Sequence, residues 1–460
     1  VNMEKRVKTL KKIDRAKGLC FTTLIKISIK RVGLRVFLRT RQRESTMESF
    51  AISLVCDACH REVSLREPVT TCPYCGGLLE VQYDYAAMKR HMKQVASVPK
   101  LRSIWRYRDF LPPVADESIV TLGEGGTPLV RSQHLGKKIG VPHLYFKNDA
   151  MMPTGSFKDR GFSLAVSYAR DLKVKRGFTY SSGNAGASFS AYSARSGFQA
   201  LVCVEYVASE TKKAMINLYG AKVAVLEFDK FEEISTMLER ATKELGLYQF
   251  VNFINPIRHE AMKTYAYEIY EELGSVPDAM FHPVGTGGGL WGAYKGYREL
   301  ETLGVTDRVP RMFAVQPAVT AHFREAFQKG LHEAGAYGDP KKTIAQSIAA
   351  DSPLQGGKRI LKAVYDSNGA ALGVSEEEIL EAMRDLAREG IAGEPASAAS
   401  VAAAKQAARQ GLIGEKDVVV CVITGSGLKQ PAAVEMAAGL PKETIHADFE
   451  SLKRLIERSV

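Results

Sequence analysis

The chain has 460 residues, of which 45% are hydrophobic and 25% are charged. Its length predicts two or three domains with a large buried core. With only seven cysteines, the composition excludes a disulfide-dense secreted scaffold, and it also excludes collagen-like and disordered chains. The sequence lacks a run of about 18 uncharged apolar residues, which argues against a membrane span. We therefore expect a soluble, cytoplasmic protein that does not bind a membrane.

The net charge of +12 is concentrated at the N-terminus. Residues 1–46 contain fourteen Lys and Arg and only three acidic residues, so the rest of the chain is nearly neutral. Such a segment is compatible with a basic arm that binds phosphates, with a targeting presequence, or with a start codon assigned too far upstream. The last interpretation is favoured because residue 1 is Val and Met47 opens the first recognisable module. We expect residues 1–46 to be a disordered extension or a misassigned start, and we do not expect nucleic acid as a partner.

Four cysteines form two pairs soon after the basic segment. Cys56 and Cys59 form one C-x2-C pair, and Cys72 and Cys75 form another after twelve intervening residues. The spacing resembles a zinc ribbon, in which two tight turns supply four thiolates to one tetrahedral ion. Four protein ligands leave no open coordination position, so a structural zinc ion is predicted, with a metal-free knuckle as the alternative. We call residues 47–85 the four-cysteine module.

From about Trp105 onward, predicted strands and helices alternate. This order predicts an α/β fold with parallel sheets that are covered by helices on both faces. Ligands bind such sheets at the loops where the strands end. The predicted strands are 176–180, 200–205, 222–228, 248–253, 279–283, 312–316 and 416–423, and the predicted helices are 185–197, 210–218, 230–245, 259–273 and 290–300.

Three loops near predicted strand ends carry unusual residues. Residues 153–161 read PTGSFKDRG and put Lys158 at the start of a helix. Residues 181–186 read SSGNAG and put an asparagine in a glycine turn after a strand. Residues 285–289 read GTGGG between a strand and a helix, where successive backbone N–H groups form an anion cradle. A dinucleotide fingerprint is the alternative for this glycine run, but the acidic residue that it requires about 20 positions later does not appear.

A lysine, an asparagine turn and a phosphate cradle together suit pyridoxal phosphate. Its aldehyde needs an amine, its phosphate needs N–H donors, and its ring hydroxyl needs a neutral donor. With these motifs, residues 47–460 resemble a fold-type II pyridoxal-phosphate enzyme, and within that group the threonine synthase family. The resemblance implies that residues 86–460 form two parallel-sheet αβα domains, the smaller at about 160–255, and that the protein is a homodimer. Further matching motifs are GEGGTPL at 123–129, NFINPIR at 252–258, EPAS at 394–397 and TGSGLK at 424–429.

The resemblance also implies roles for individual residues. Lys158 corresponds to the catalytic lysine that forms a Schiff base with the cofactor and moves protons on the substrate. Asn184 corresponds to the donor for the pyridine hydroxyl, and Thr424 to the hydroxyl that faces the pyridine nitrogen. The alternative for Arg258 is a surface arginine on helix 259–273. The residues implied for the cofactor phosphate are Gly285, Thr286, Gly287, Gly288 and Gly289, and those implied for the substrate phosphate are Ser156, Ser181, Asn252 and Arg258.

Several positions depart from the pattern of that family. Ala185 and Phe253 stand where the family has a hydroxyl, Thr286 and Gly289 where it commonly has asparagine, and Ser426 where it has histidine. Losing one donor from such a site costs about 2.7–4 kcal/mol of transition-state stabilisation. These replacements are therefore compatible with a changed substrate.

Three functions are compatible with the sequence. The favoured one is a lyase that converts O-phospho-L-homoserine and water to L-threonine and phosphate through Lys158. The second is β-elimination or β-replacement by a serine or threonine dehydratase, a diaminopropionate-type lyase, or a cysteine or cysteate synthase-like enzyme. The third is a catalytically inactive binding protein with the same fold. In the first two cases the ligand is an amino acid.

Overall fold

The computed structural model describes residues 49–92, 103–181, 183–205, 210–227, 231–251, 253–337, 342–350, 353–440 and 443–459. The predictions for residues 1–46 and for Asn252 therefore lie outside the described residues. Within these ranges, every helix is too short or too polar to span a bilayer.

Thirteen strands occur among the described residues, and most are rich in apolar residues. They are β1 (Ala51–Cys56), β2 (Glu62–Val63), β3 (Leu79–Tyr83), β4 (Leu129–Arg131), β5 (His143–Asn148), β6 (Arg176–Tyr180), β7 (Gln199–Glu205), β8 (Lys222–Leu226), β9 (Tyr248–Gln249), β10 (Ala279–Pro283), β11 (Arg311–Pro317), β12 (Ala370–Val374) and β13 (Val418–Ile423).

The strands form three sheets. The four-cysteine module contains an antiparallel sheet with the order β2-β1-β3. A four-stranded sheet has the order β8-β7-β6-β9, and all its pairs are parallel. A six-stranded sheet has the order β12-β11-β10-β13-β5-β4, in which only the edge strand β4 is antiparallel to its neighbour. The predicted α/β class with parallel sheets is thus confirmed.

Helices connect most of the parallel strands and cover the sheets. They are α1 (Tyr85–Met92), α2 (Leu135–Lys138), α3 (Lys158–Asp171), α4 (Asn184–Ser196), α5 (Glu210–Leu218), α6 (Phe231–Leu245), α7 (Pro256–Met262), α8 (Thr264–Leu273), α9 (Gly288–Thr302), α10 (His322–Gln328), α11 (Lys358–Asp366), α12 (Glu376–Arg388), α13 (Pro395–Arg409), α14 (Pro431–Ala438) and α15 (Phe449–Ser459).

The predicted helix 259–273 is wrong in two respects. A helix begins earlier, at Pro256, because the Asn255 side chain caps it by accepting a hydrogen bond from the backbone N–H of Ile257 at 3.1 Å. The helical segment is also divided at Lys263, whose N–H donates to the carbonyl three residues back, on Glu260. Such i to i−3 bonds tighten the turn and separate α7 from α8.

The predicted strand 248–253 is also wrong, because β9 contains only two residues. The carbonyl of Phe250 accepts a hydrogen bond from the side chain of Arg258 at 2.7 Å. Phe253 has a φ of +66°, in the left-handed region, which an extended strand does not contain. The chain therefore leaves the sheet early and forms a loop beside α7.

The loops that follow four parallel strands carry the predicted site. Residues 149–157 follow β5, residues 284–287 follow β10, and residues 424–426 follow β13, all from the six-stranded sheet. The central strands β10 and β13 are buried along almost their whole length, so these three loops start from a rigid base. The loop after β6, which leads into α4, comes from the smaller sheet.

Candidate functional site

Lys158 is the first residue of α3, as the sequence predicted. The loop before it is bonded to the loop that follows β13. Phe157 donates its N–H to the carbonyl of Thr424 at 2.8 Å, and Ser426 donates to the carbonyl of Gly155 at 2.9 Å. These backbone bonds fix the position from which the lysine side chain projects.

The Lys158 amine lies in an environment that favours its neutral form. Burial lowers its pKa to about 7, the positive charge of Arg258 adds to this effect, and the negative charge of Glu394 opposes it. A large fraction of the amine is therefore unprotonated near neutral pH. An unprotonated amine is the form that attacks an aldehyde.

The two charged residues that follow Lys158 are buried and hold α3 in place. Asp159 accepts a hydrogen bond from Ser188 on α4 at 2.6 Å. Arg160 pairs with Asp149 at 2.8 Å and with Glu268 at 2.6 Å. The sequence motif alone gives no role for Asp159 or Arg160, since their partners lie in other segments of the chain. Their function is to orient the helix that carries the lysine.

The glycine run 285–289 forms the predicted turn into α9. We call it the phosphate cradle. Gly287 has a φ of +93°, and a Cβ there would lie 2.2 Å from Cδ1 of Ile360, so only glycine fits. A Cβ on Gly289 would lie 2.4 Å from Cε1 of His282, which explains why asparagine is absent at this position. The first N–H groups of α9 have no intrahelical acceptor and are donors suited to an anion.

Asn184 is the first residue of α4, and its side chain does not hold its own turn. Nδ2 donates to both carboxylate oxygens of Glu394, at 2.8 and 3.0 Å. Its Oδ1 is buried without a hydrogen-bond partner among the described residues. Glu394 is buried directly before α13, within the EPAS motif at 394–397, and the motif alone does not indicate its role. This carboxylate orients the Asn184 amide, and its charge acts on Lys158.

Thr424 follows β13 directly and is buried. Its hydroxyl lies 3.2 Å from the hydroxyl of Ser397. The Ser397 hydroxyl also accepts a hydrogen bond from the N–H of Gly425 at 2.8 Å and donates one to the carbonyl of Gly425 at 2.9 Å. Two uncharged hydroxyls thus lie together at this strand end.

Arg258 is fully buried on α7, so its interpretation as an exposed arginine is wrong. One guanidinium nitrogen, Nη1, donates to the carbonyl of Phe250, and the guanidinium carbon lies 4.1 Å from the centre of the Phe162 ring. Nε and Nη2 have no hydrogen-bond partner among the described residues. Burial lowers the pKa of Arg258 to about 9. A buried cation with two unused donors is a prepared anion site.

The other residues predicted to bind the substrate phosphate differ in their surroundings. Ser156 is fully buried, and its hydroxyl has no partner within the described part of the chain. The hydroxyl of Ser181 accepts a weak hydrogen bond from the N–H of Gly183 at 3.3 Å. Asn252 lies outside the described residues.

His282 on β10 is a site residue that the sequence did not reveal. Its ring stands edge-on to that of Phe157, with centroids 6.0 Å apart. Burial lowers the pKa of His282 to about 4, and the Lys158 charge contributes, so the imidazole is neutral. It helps to position the residue before the lysine.

The four sulfurs of the four-cysteine module lie within 4.8 Å of one another. Cys56 and Cys75 are 3.5 Å apart, and Cys59 and Cys72 are 3.6 Å apart. A tetrahedral zinc ion with bonds of about 2.3 Å requires sulfurs about 3.8 Å apart, so the arrangement fits this metal. A Cβ on Gly77 would lie 2.8 Å from the sulfur of Cys56, and glycine keeps this space clear.

Comparison with known proteins gives matches over most of the chain. The family described as pyridoxal-phosphate dependent enzyme matches residues 120–425. The threonine synthase of Methanocaldococcus jannaschii is 40% identical over 405 residues, which cover 87% of this chain and 98% of that protein. The threonine synthase of Methanosarcina acetivorans is 38% identical over 406 residues, with coverage of 88% and 98%. The processed form of threonine deaminase isoform 2 from Solanum lycopersicum has a TM-score of 0.59 at 20% identity, covering 75% of this chain and 97% of that one, a likeness of fold.

Proposed function

Because the chain belongs to the pyridoxal-phosphate-dependent enzymes and, within them, to the threonine synthase family, we propose that it makes threonine. The proposed reaction converts O-phospho-L-homoserine and water to L-threonine and phosphate, a step of amino-acid biosynthesis. The observation that carries this proposal is the buried guanidinium of Arg258, two of whose donors have no partner among the described residues. Its charge lowers the pKa of Lys158, so Arg258 acts electrostatically on the reactive amine.

The residues of the site fit pyridoxal phosphate. The phosphate cradle supplies backbone donors for its phosphate, and Lys158 supplies an amine for its aldehyde. Asn184, whose buried Oδ1 has no partner among the described residues, is the proposed partner of the ring hydroxyl, and Thr424 is the proposed partner of the ring nitrogen. When bound, the cofactor holds the substrate amine covalently and withdraws electrons, which acidifies the hydrogen on Cα.

The proposed role of Lys158 is to carry protons. A pKa of about 7 lets its Nζ accept a proton at neutral pH and return it without a large energetic cost. We assign it the transfers at Cα, Cβ and Cγ that loss of the phosphate and addition of water require. Because the hydroxyls of Thr424 and Ser397 are uncharged, the bound cofactor would withdraw electrons less strongly than it would beside a carboxylate. Weaker electron withdrawal suits elimination.

Arg258 is the proposed ligand of the substrate phosphate, together with Ser156, Ser181 and Asn252. A planar guanidinium donates two parallel hydrogen bonds to phosphate oxygens. The buried hydroxyl of Ser156 adds a third donor that has no partner among the described residues. A dehydratase that acts on serine or threonine has no phosphate to bind, so these unused donors favour the phosphorylated substrate.

The four-cysteine module is proposed to hold one structural zinc ion through Cys56, Cys59, Cys72 and Cys75. The four sulfurs lie close enough to bind one tetrahedral ion together, and a zinc ion with four protein ligands is structural rather than catalytic. A homodimeric assembly and a cytoplasmic location remain predictions from the sequence.

A substrate panel tests the proposed function. The protein loaded with pyridoxal phosphate is incubated with O-phospho-L-homoserine, L-serine or L-threonine, and phosphate, threonine and ammonia are measured. We expect phosphate and threonine in equal amounts from the first substrate, and Lys158→Ala to abolish both. Ammonia and a 2-keto acid from serine or threonine, without threonine from the phosphorylated substrate, would instead assign the protein as a dehydratase.

A further inference from the structure

The four-cysteine module is bonded to the helix that begins at the phosphate cradle. Glu80 on β3 accepts hydrogen bonds from Lys295 at 2.5 Å and from Trp291 at 3.1 Å, and both residues lie on α9. Lys295 also donates to the carbonyl of Val81 at 2.8 Å. These contacts attach the third strand of the module to the helix whose first turn forms the cradle.

A single arginine connects the same module to a second helix beside the cradle. Arg359 on α11 is almost fully buried, and its Nε donates to the carboxylate of Asp57 at 2.7 Å. Its Nη2 donates to the carbonyl of Leu79 at 3.2 Å, and its Nη1 lies 3.1 Å from Glu80. Asp57 follows Cys56 directly, within the first pair of predicted metal ligands.

The residue after Arg359 contacts the cradle itself. Ile360 is fully buried, and its Cδ1 would lie 2.2 Å from a Cβ on Gly287. A displacement of Arg359 should therefore also displace the cradle, because Arg359 is joined to Ile360 by one peptide bond and Ile360 is in van der Waals contact with Gly287. Helices α9 and α11 also pack on each other, so the module is attached to two helices that contact each other.

We propose that the metal-filled four-cysteine module holds the phosphate cradle in its binding shape through Arg359, so that metal binding and cofactor binding are thermodynamically linked. Arg359 is then a positioning residue for the cofactor. The inference rests on the metal site and the cofactor site proposed above. Coupling between two sites is usually 5- to 150-fold in affinity, and for this short route we expect about tenfold. Linkage requires that the cofactor strengthen zinc binding by the same factor.

The test measures both affinities on the full-length protein. The cofactor is removed with hydroxylamine, and zinc is removed with a chelator under reducing conditions. Pyridoxal phosphate is then titrated into the zinc-loaded and zinc-free proteins by its visible absorption. In the reverse arm, zinc affinity is measured by chelator competition with and without pyridoxal phosphate. We expect about tenfold weaker cofactor binding without zinc and an equal factor in the reverse arm.

Variants separate the proposed route from a general loss of structure. Arg359→Met and Asp57→Asn are expected to keep one bound zinc per chain while the coupling falls to about threefold or less. Arg359→Lys is expected to retain part of it, because it keeps the charge. The matched control is Lys362→Ala, which removes an exposed lysine of the same helix that pairs with Asp366 and does not reach the module. The control should leave the coupling unchanged.

The possible failures are distinguishable. A protein that binds no zinc overturns both the metal site and the coupling. Zinc binding with equal cofactor affinities in the two forms overturns the coupling alone. Full coupling in Arg359→Met overturns the assigned route. In each of these cases the substrate panel still reports independently on the proposed function.

Discussion

Replacing Arg258 with methionine should separate activity from stability. Nε and Nη2 have no partner within the described part of the chain, and a hydrogen bond to a charged group contributes about 1.5–3 kcal/mol. Two such bonds to the substrate phosphate amount to about 3–6 kcal/mol, which corresponds to a fall in kcat/KM of about 10²- to 10⁴-fold. Methionine keeps most of the side-chain length, so packing against Phe162 is largely preserved.

The same substitution should not destabilise the fold. Burying an unpaired charge is costly, and replacing it by an apolar side chain of similar volume removes that cost. The carbonyl of Phe250, which loses Arg258, still accepts a hydrogen bond from the hydroxyl of Thr179 at 3.3 Å. We therefore expect the free energy of unfolding of Arg258→Met to equal or exceed that of the unmodified protein.

The assay combines steady-state kinetics with O-phospho-L-homoserine and denaturant unfolding of the cofactor-loaded protein. Arg258→Lys is the matched variant, because it keeps the charge but loses the paired donors, and its activity should be intermediate. If Arg258→Met keeps kcat/KM within about threefold, the guanidinium does not bind the substrate phosphate. If it loses cofactor and stability together with activity, Arg258 is structural and the reasoning is refuted.

Three further changes test the rest of the site. The rate at which cofactor-free protein captures pyridoxal phosphate should rise with pH through about 7, because only the neutral Lys158 amine attacks; stopped-flow absorbance measures this midpoint. Glu394→Gln should move that midpoint down, because the Glu394 charge raises the pKa of Lys158, and the same stopped-flow titration detects the shift. Gly287→Ala should weaken cofactor binding by about 1–3 kcal/mol in an absorbance titration, because its Cβ would clash with Ile360.

Each of these changes has a control or a contradicting result. Arg258→Met should move the capture midpoint upward, opposite to Glu394→Gln, because it removes a positive charge near the amine. A midpoint that stays near 10.4, the ordinary value for lysine, shows that Lys158 is not buried as described. Gly274→Ala is the control for Gly287→Ala, because Gly274 also has a positive φ but has nothing within 4 Å of its Cβ position. Equal cofactor affinities in the two glycine variants would contradict the cradle.

Local sequence patterns predicted several of the regular elements with their observed bounds. The bounds of β6 and β10 match the predicted strands, and α5 matches the predicted helix. The family and the α/β class inferred from the motifs are confirmed by the comparisons. Where the pattern failed, side chains from other segments were responsible. The carbonyl of Phe250 accepts hydrogen bonds from the side chains of Arg258 and Thr179, and apolarity alone does not reveal this.

Site residues that belong to a local sequence motif were predictable, whereas contacts between side chains far apart in the sequence were not. Lys158 and the phosphate cradle lie at helix starts, which glycine and strand patterns indicate. Glu394 bonds Asn184 across 210 positions of sequence, and nothing near Glu394 in sequence indicates that contact. The Asn-Pro pair at 255–256 is a typical helix start, so the sequence does indicate a helix that begins at Pro256. The burial of Arg258 depends on how α7 packs against α3, and a single sequence does not specify this.

The most direct test of the proposed reaction follows oxygen from labelled water. The protein converts O-phospho-L-homoserine in water enriched in oxygen-18, and mass spectrometry locates the label in the products. Elimination breaks the carbon–oxygen bond and water then adds at Cβ, so the account predicts label in the threonine hydroxyl and none in the released phosphate. Label in phosphate with homoserine as the product, or ammonia with 2-oxobutyrate in place of threonine, would contradict it.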